Sequence, residues 1–472
     1  STLMRSSAAS DVYKRQFLYY FLPAVLLIYY ISPKQFKNMI MLLAGLFFYA
    51  WGEPVYVLLM LFSTLVDYTA GRVIDRYDDN PGMRRVALLC SLAINIGLLG
   101  VFKYSSFIAG IFGAEVKPLP LPIGISFYTF QSMSYTIDLY RRQIKVQKSF
   151  INFATYVSLF PQIVAGPIVR YEDVQNEINS RKINGLLLGE GAGIFITGLA
   201  KKVLIANNIG MLWTEIKALD YGSISMLTAW LGILAFTFQI YFDFSGYSDM
   251  AIGLGKMLGF NFPKNFDHPY ISRSISEFWR RWHITLGSWF KNYVYISLGG
   301  NRKGRGKTLR NLLIVWALTG LWHGASWNFV LWGLYFGVII VIERVWLGKK
   351  LENLRPCVSI FYTFVLVVLG WVLFDTNTLS DAAGFYKAMF FGTGKLVDKF
   401  ALYQLKSYAI MFLICIAASG EFAVKCMAKW RKNKKQSRLI SNIGPLVQCG
   451  EFLLCTAYLV DASYNPFLYF RF

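Results

Sequence analysis

The chain contains little charge and almost no histidine. Only 16% of its 472 residues are charged and three are histidines, whereas 55% are apolar and 17% aromatic. Soluble domains carry about 25% charged residues. The composition therefore excludes an ordinary soluble protein and predicts an all-α integral membrane protein that crosses the bilayer many times.

Acidic residues are also scarce, with 26 Asp and Glu against 48 Lys and Arg and a formal net charge of +22. In a chain this apolar, the excess of bases belongs at the membrane ends of helices, where it sets their orientation. We therefore expect no binding of nucleic acid.

Several chemical signatures are missing. The six cysteines are scattered without CxxC spacing, so they are expected to be small apolar residues rather than redox or zinc ligands. No GxSxG elbow, Walker loop, dinucleotide fingerprint or HExxH motif supports a hydrolase, nucleotide-driven pump or zinc protease. Residues 1–16 lack the apolar core of a signal peptide. We expect them to be a non-native or disordered leader before a single membrane domain at 17–472.

Apolar runs are abundant. A helix needs about 20 mostly apolar residues to cross about 30 Å of hydrocarbon, and we predict about eleven transmembrane helices. The runs lie at 17–31, 38–51 continuing through 56–65, 86–102, 121–140, 186–209, 227–241, 312–322, 327–346, 359–374, 408–424 and 447–460. Gly and Pro at 121–124 and 160–167 predict broken or re-entrant elements, which usually surround a functional cavity.

One polar stretch is strongly basic, with ten bases between positions 264 and 310 against Asp267 and Glu277. Positively charged loops of membrane proteins face the cytoplasm. We therefore predict a cytoplasmic position for this stretch and for the basic cluster at 425–438. Contacts with membrane lipid headgroups would suit both.

The histidine of most interest is His323, which has apolar runs on both sides. Helical spacing would place Trp316, Gly320, His323 and Trp327 on one face, as in a tunnel lining. An ionisable group inside a membrane is costly and therefore marks a candidate functional site. The alternative is a buried neutral imidazole bonded to a carbonyl.

A second histidine, His283, follows two arginines. Trp279, Trp282, His283, Leu286 and Phe290 recur at helical spacing, which predicts one amphipathic helix in the headgroup plane with His283 on its buried side. In that helix Arg280 and Arg281 would face away from the aromatic side. His268 precedes a proline in an apparent loop, and we interpret it as structural.

A third constellation follows the apolar run at 227–241. Gln239, Asp243, Ser245 and Asp249 bring two carboxylates and a hydroxyl together, which could serve acid/base chemistry or bind a cation. No third ligand has metal-site spacing, so we expect no metal. The simpler interpretation is that Asp243 and Asp249 hydrogen-bond the histidine helices or cap broken helices.

Taken in order, these blocks resemble the bacterial branch of the membrane-bound O-acyltransferase family, of the alginate O-acetyltransferase type. The matching blocks are 121–141, 160–170, 239–253, 278–303, 321–324 (LWHG) and 465–472. The resemblance implies that His323 is catalytic and that His283 is a second site residue. It also implies a ring of tilted helices, with re-entrant or interfacial segments, around a central tunnel or funnel.

The resemblance further implies acetyl transfer from a cytoplasmic thioester to a hydroxyl of an extracytoplasmic polysaccharide, directly or through a partner transferase. His323 would be the general base, since an imidazole titrates near neutrality. We expect acetyl-coenzyme A as donor, no permanently bound cofactor, and a location in the bacterial inner membrane. The expected tunnel-lining residues are Trp279, Trp282, Trp316, Trp322, Trp327, Gln239, Asp243 and Ser245, and the expected contacts with coenzyme A are Arg280, Arg281 and Lys291.

Three other functions stay open at this point. A D-alanyl transferase of teichoic acid would take its acyl group from a carrier protein. A solute transporter would also use polar residues in broken helices. A structural scaffold for polymer secretion would tolerate loss of its histidines.

Overall fold

The fold was analysed in a computed structural model that describes residues 14–163, 166–392, 394–422, 424–426, 429, 434–461, 467 and 468, with no side-chain detail for 434–441. Every regular element in these residues is a helix. Most of the predicted leader at 1–16 and most of the terminal block at 465–472 lie outside them.

The chain divides into two compact units. The first comprises Ser1–Phe195, Tyr247–Lys264 and Leu459–Arg471. Aromatic side chains fill part of its core, where the ring of Phe160 packs edge-on against the rings of Phe17 and Phe21. Its helices begin with Phe17–Phe21, Leu22–Ile31, Lys34–Phe36, Lys37–Gly52, Tyr56–Arg76 and Pro81–Leu99, and continue with Gly100–Tyr104, Ser105–Ile111, Ile125–Tyr140, Phe150–Val157, Tyr171–Asn179 and most of Gly185–Ala200.

The second unit comprises Ile196–Gly246, Asn265–Tyr458 and Phe472. It contains all three histidines and most of the tryptophans. Its helices are Lys201–Ala206, Asn207–Lys217, much of Met226–Met257, Pro269–Ile271, Ile275–Arg281, Ile284–Trp289, Phe290–Tyr295, Arg305–His323, Trp327–Ile342, Glu343–Leu347, Gly348–Asn353, Pro356–Asp375, Leu379–Phe391, Lys399–Ser419 and nearly all of Lys434–Asp461.

Seven helices in the described residues are long and apolar enough to cross a membrane. They are Tyr56–Arg76, Pro81–Ile111, Met226–Met257, Trp327–Asn353, Pro356–Asp375, Lys399–Ser419 and Asn442–Asp461. Phe17–Ile31 is apolar but shorter. The prediction of a helical membrane protein is confirmed, whereas the count of about eleven stays a prediction, because several predicted runs fall on shorter or less apolar helices.

Two predicted helix boundaries are wrong. The run predicted to continue from 38 to 65 is interrupted at Glu53 and Pro54, between Lys37–Gly52 and Tyr56–Arg76, because proline has no backbone N–H to continue the helix. The run predicted to end at 241 extends instead through Met226–Met257. The constellation from Gln239 to Asp249 therefore lies inside a long helix and not at its end.

The two predicted breaks do contain non-helical chain. Residues 121–124 lead into Ile125–Tyr140 through Gly124, whose φ of 74° favours glycine. Around 158–170 the described backbone is irregular although Phe160, Ile163 and Val169 are buried. The side-chain amide of Gln162 in this segment donates a hydrogen bond to the Tyr156 carbonyl at 3.0 Å. Irregular backbone at membrane depth is tolerated where protein shields it.

Candidate active site

His323 is the last residue of the Arg305–His323 helix, which pairs with Trp327–Ile342 in a tight helical hairpin. Two glycines permit the close approach, because a Cβ atom on Gly320 would lie 2.1 Å from the Phe329 carbonyl oxygen and one on Gly333 would lie 2.2 Å from that of Trp316. The hairpin fixes the position of His323 at the point where the first helix ends. A bulky side chain at either glycine would force the two helices apart.

Aromatic rings enclose the His323 imidazole, which is only 3% exposed. Its centroid lies 5.0 Å from those of Trp322 and Trp332 and 5.4 Å from that of Phe374. The Trp332 ring is nearly perpendicular to the imidazole, at 86°. These walls exclude bulk water, which strengthens electrostatic interactions with any group that reaches the imidazole.

The predicted common face of Trp316, His323 and Trp327 is wrong. The helix ends at His323, Gly324 is extended with a φ of −168°, and Trp327 begins the next helix with 55% of its surface exposed. Trp322 contacts the His323 ring, and Trp316 lines the cavity beside His283. Trp332 and Phe374, which the sequence analysis missed, also contact the His323 ring.

His283 also sits at a helix break. Its backbone is left-handed, with φ 46° and ψ 52°, between Ile275–Arg281 and Ile284–Trp289. The predicted single amphipathic helix across this segment is therefore wrong. His283 is nonetheless buried, at 1% exposed, and its ring packs edge-on against Phe244 at 4.7 Å between centroids.

Asn265 holds this break in place. Its side-chain oxygen accepts hydrogen bonds from the Thr285 N–H at 3.3 Å and the Thr285 hydroxyl at 2.9 Å, and lies 3.1 Å from His283 Nδ1. The Asn265 backbone carbonyl accepts from the Ile284 N–H at 2.9 Å. Because an oxygen that accepts these bonds cannot donate, it requires a proton on His283 Nδ1. A neutral ring in this tautomer carries its lone pair on Nε2.

Burial lowers the pKa of the His283 imidazole from 6.5 to about 3. The ring is therefore neutral at physiological pH, because desolvation disfavours the charged form. The Trp322 ring contacts both imidazoles, with centroids 6.1 Å from that of His283 and 5.0 Å from that of His323. One aromatic wall thus connects the two candidate residues.

A cavity of about 400 Å³ opens beside His283. Trp279, Trp282 and Trp316 line it together with Thr319, one helical turn before His323. Three cationic residues also line it, namely Arg280, Lys291 and Arg344. The cavity therefore combines aromatic walls, one neutral imidazole and a cluster of positive charge.

Arg281 does not join this cluster. Its Nε donates to Glu277 at 2.9 Å and its Nη1 to the Asp267 carbonyl at 3.2 Å, so the guanidinium holds the loop before the helix. Arg344, which the sequence analysis missed, lines the cavity in addition to Arg280 and Lys291. It follows the acidic Glu343, and the presence of these two charges within an apolar run was the signal that could have identified it.

Glu343 anchors the segment that carries His283. Its buried carboxylate accepts from the Ile275 N–H at 2.7 Å, the Ser276 N–H at 2.9 Å and the Ser276 hydroxyl at 2.8 Å. These bonds satisfy free N–H groups at the start of Ile275–Arg281, where the helix dipole also favours negative charge. Glu343 therefore fixes the start of the helix that carries Trp279 and Arg280.

In the polar constellation on Met226–Met257, Gln239, Asp243 and Ser245 are buried and Asp249 is partly exposed, and none of the four lines this cavity. Asp243 forms an ion pair with Lys202. Gln239 faces Gly210, and Ser245 is 1% exposed. Phe244, which lies in the same part of the helix, packs against the His283 ring. In the residues that the structure describes, no three His, Cys, Asp or Glu side chains are grouped to hold a metal ion.

A family model for membrane-bound O-acyltransferases matches residues 132–349. The chain is also 38% identical to the probable alginate O-acetylase AlgI of Pseudomonas putida, over 97% of this chain and 99% of that protein. The chain belongs to the membrane-bound O-acyltransferase family. It is therefore a multi-pass membrane enzyme that acts as an O-acetyltransferase, and the predicted resemblance is confirmed.

Other members of the family are similar to smaller parts of the chain. A peptidoglycan O-acetyltransferase of Helicobacter pylori is 35% identical over 79% of this chain and 78% of its own length. A teichoic acid D-alanyltransferase of Streptococcus thermophilus is 31% identical over 54% of this chain and 68% of its own length. The similarity to the acetyl-transferring relatives thus extends further along the chain than the similarity to the D-alanyl type.

Proposed function

We propose that this enzyme moves an acetyl group from acetyl-coenzyme A on the cytoplasmic side to a hydroxyl of an extracytoplasmic polysaccharide in the bacterial inner membrane. The cavity beside His283 supports the choice of donor, because Arg280, Lys291 and Arg344 line it. Three cations suit the phosphates of coenzyme A, since charge-assisted hydrogen bonds to phosphate are strong. The aromatic walls suit a thioester arm.

In the proposed reaction, His323 acts as general base. It takes the proton of the acceptor hydroxyl as the oxygen attacks the thioester carbonyl carbon. The carbon–sulfur bond then breaks, and the proton passes from the imidazolium to the departing thiolate. The products are the O-acetyl ester and free coenzyme A, and His323 returns to its neutral state.

We propose a positioning role for His283. A neutral imidazole that carries its proton on Nδ1 accepts a hydrogen bond at Nε2 and does not donate one there. His283 is therefore suited to orient a hydroxyl or thiol, and less suited to stabilise negative charge on the carbonyl oxygen. Backbone N–H groups at the helix breaks remain the better candidates for that charge.

Two names among the relatives suggest acceptors, namely alginate and peptidoglycan. Both are polysaccharides, which supports an acceptor of this class. We propose that a separate extracytoplasmic transferase receives or presents the acceptor hydroxyl, because no predicted outer loop is long enough to form a saccharide-binding domain. The ring of helices around a tunnel, which the family resemblance implies, is the proposed route between the two sides.

Liposomes that contain the purified enzyme test this function. With acetyl-coenzyme A on the side of the basic stretch at 264–310, labelled acetyl should reach polysaccharide on the opposite side, poorly with the enzyme alone and efficiently with the partner transferase. Efficient transfer without the partner would eliminate the partner requirement. A strict need for a charged carrier protein would shift the function to D-alanyl transfer, and movement of solute without acetylation would support a transporter.

A further inference from the structure

Two cations converge on one tyrosine in the first unit. Lys37 Nζ lies 4.5 Å, and Arg181 Cζ 5.5 Å, from the centroid of the Tyr29 ring. Lys37 Nζ donates to the Tyr29 carbonyl at 2.5 Å, and Arg181 Nε donates to the Tyr29 hydroxyl at 2.6 Å. Two like charges held over one ring repel each other unless an anion neutralises them.

The described residues supply no carboxylate within ion-pair distance of either cation. Arg181 Nη1 donates to Asn38 Oδ1 at 2.6 Å and to the backbone carbonyl of Glu177 at 3.2 Å. The Glu177 carboxylate accepts instead from Asn261 at 3.3 Å. Arg181 Nη2 is buried and has no hydrogen-bond partner in the described part of the chain. A buried donor without an acceptor is costly, so this nitrogen points to a ligand.

An apolar groove of about 540 Å³ lies on the helices that carry Tyr29 and Lys37. It runs between the Phe17–Ile31 segment and the Lys37–Gly52 helix. Its lining includes Ile28, the residue before Tyr29, and Ile40, three residues after Lys37. From Phe17 to Ile28 the helix rises roughly 16 Å, at about 1.5 Å per residue. That length matches half of the roughly 30 Å hydrocarbon core, the depth of one leaflet.

We propose that this groove and its two cations form a binding site for one anionic phospholipid. An acyl chain lies along the groove, and the phosphate accepts hydrogen bonds from Lys37 Nζ and Arg181 Nη2. A net negative headgroup is favoured over a zwitterionic one, because two positive charges remain otherwise unneutralised.

The first experiment measures phosphatidylglycerol binding to the purified full-length protein in detergent, by native mass spectrometry and by the thermal unfolding midpoint. Phosphatidylcholine with the same chains and chain-free glycerol phosphate are compared with it. We expect phosphatidylglycerol to bind and to raise the midpoint. The other two compounds should bind at least tenfold more weakly and should raise the midpoint less. Equal effects of the two lipids, or of glycerol phosphate and phosphatidylglycerol, would overturn the proposal.

Matched variants locate the site. Lys37→Ala and Arg181→Gln should each weaken phosphatidylglycerol binding about tenfold or more, since a hydrogen bond to a charged group contributes about 1.5–3 kcal/mol, while Lys34→Ala should change it little. If the Arg181→Gln variant does not fold, the binding of phosphatidylglycerol to Lys37→Ala alone tests the site.

Ala24 lines the groove and is exposed, so Ala24→Phe should displace the acyl chain. The control is Ala417→Phe on the exposed side of the Lys399–Ser419 helix. Unchanged lipid binding in both Lys37→Ala and Ala24→Phe would refute the site.

Discussion

Lys202 Nζ and Asp243 Oδ1 form an ion pair 2.5 Å apart, with the two side chains only 2% and 1% exposed. Lys202 lies in the Lys201–Ala206 π-helix, and Asp243 lies near the middle of Met226–Met257. Gly246 permits this packing, because a Cβ atom there would lie 2.7 Å from the Gly198 carbonyl oxygen. The pair therefore joins two helices behind Phe244, the residue that contacts His283.

Breaking this ion pair should destabilise the protein strongly. Asp243→Asn leaves Lys202 as an uncompensated buried charge, which typically costs about 3–5 kcal/mol. The double variant Lys202→Met with Asp243→Leu should recover most of that loss, because it removes both charges. The thermal unfolding midpoint in detergent measures the effect, with the exposed Asp79→Asn as control. A midpoint for Asp243→Asn equal to that of the control would show that the pair contributes little.

Replacing His323 should remove activity and leave the structure intact. His323→Ala deletes the proposed general base, so acyl transfer should fall roughly 10²–10⁴-fold while the protein stays inserted and monodisperse. Acetyl transfer in liposomes and size-exclusion chromatography provide the two readouts, with His268→Ala as the control. Activity within about tenfold of the unaltered enzyme would contradict the base role.

The stability of the protein should depend on pH through His283. Its folded pKa of about 3 lies below the ordinary value of 6.5, so between these values the unfolded chain binds a proton that the folded chain does not. The contribution of His283 is complete above pH 6.5 and is lost as the pH falls, by at most about 1.4 kcal/mol per pH unit. The unfolding midpoint between pH 7.5 and 5 should therefore fall less steeply in His283→Asn than in the half-exposed His268→Gln. Identical slopes would contradict the neutral buried state.

Loss of the Glu343 charge should loosen the His283 segment. Glu343→Gln replaces one acceptor oxygen by an amide that faces donors, and about 1.5–3 kcal/mol of stability should be lost. Acetyl transfer should also fall, since Trp279 and Arg280 follow the anchored turn. The exposed Glu352→Gln is the matched control, because Glu352 lines a neighbouring cavity of about 690 Å³ without contacting the helix start. Equal behaviour of the two variants would remove the anchoring role.

The basic stretch at 264–310 should face the cytoplasm under the positive-inside bias. Single cysteines at the exposed Lys303 or Lys307, in a background without the six native cysteines, should resist an impermeant thiol reagent applied to intact cells. Opening the cells should then permit labelling. Labelling from outside intact cells would invert the proposed topology and place the donor cavity on the wrong side.

The sequence by itself determined the class of the protein and its family. Composition alone required a membrane protein, because so many apolar residues cannot be covered by 16% of charged residues. The short blocks around His283 and His323 indicated the family, since their Trp, Arg and His residues are adjacent along the chain. The non-helical chain at 121–124, 160–163 and 166–167 was also readable, because Gly and Pro interrupt helices locally.

Only the tertiary structure decided which side chains meet. Asn265 imposes the left-handed turn at His283 from 18 residues away along the chain, so helical periodicity alone wrongly continued the helix. Glu343 reaches Ser276 across 67 residues. Lys202 forms an ion pair with Asp243 on another helix. Such partners are set by packing between helices and by the cost of leaving a buried charge or N–H unsatisfied, and neither quantity can be evaluated before the helices are placed in space.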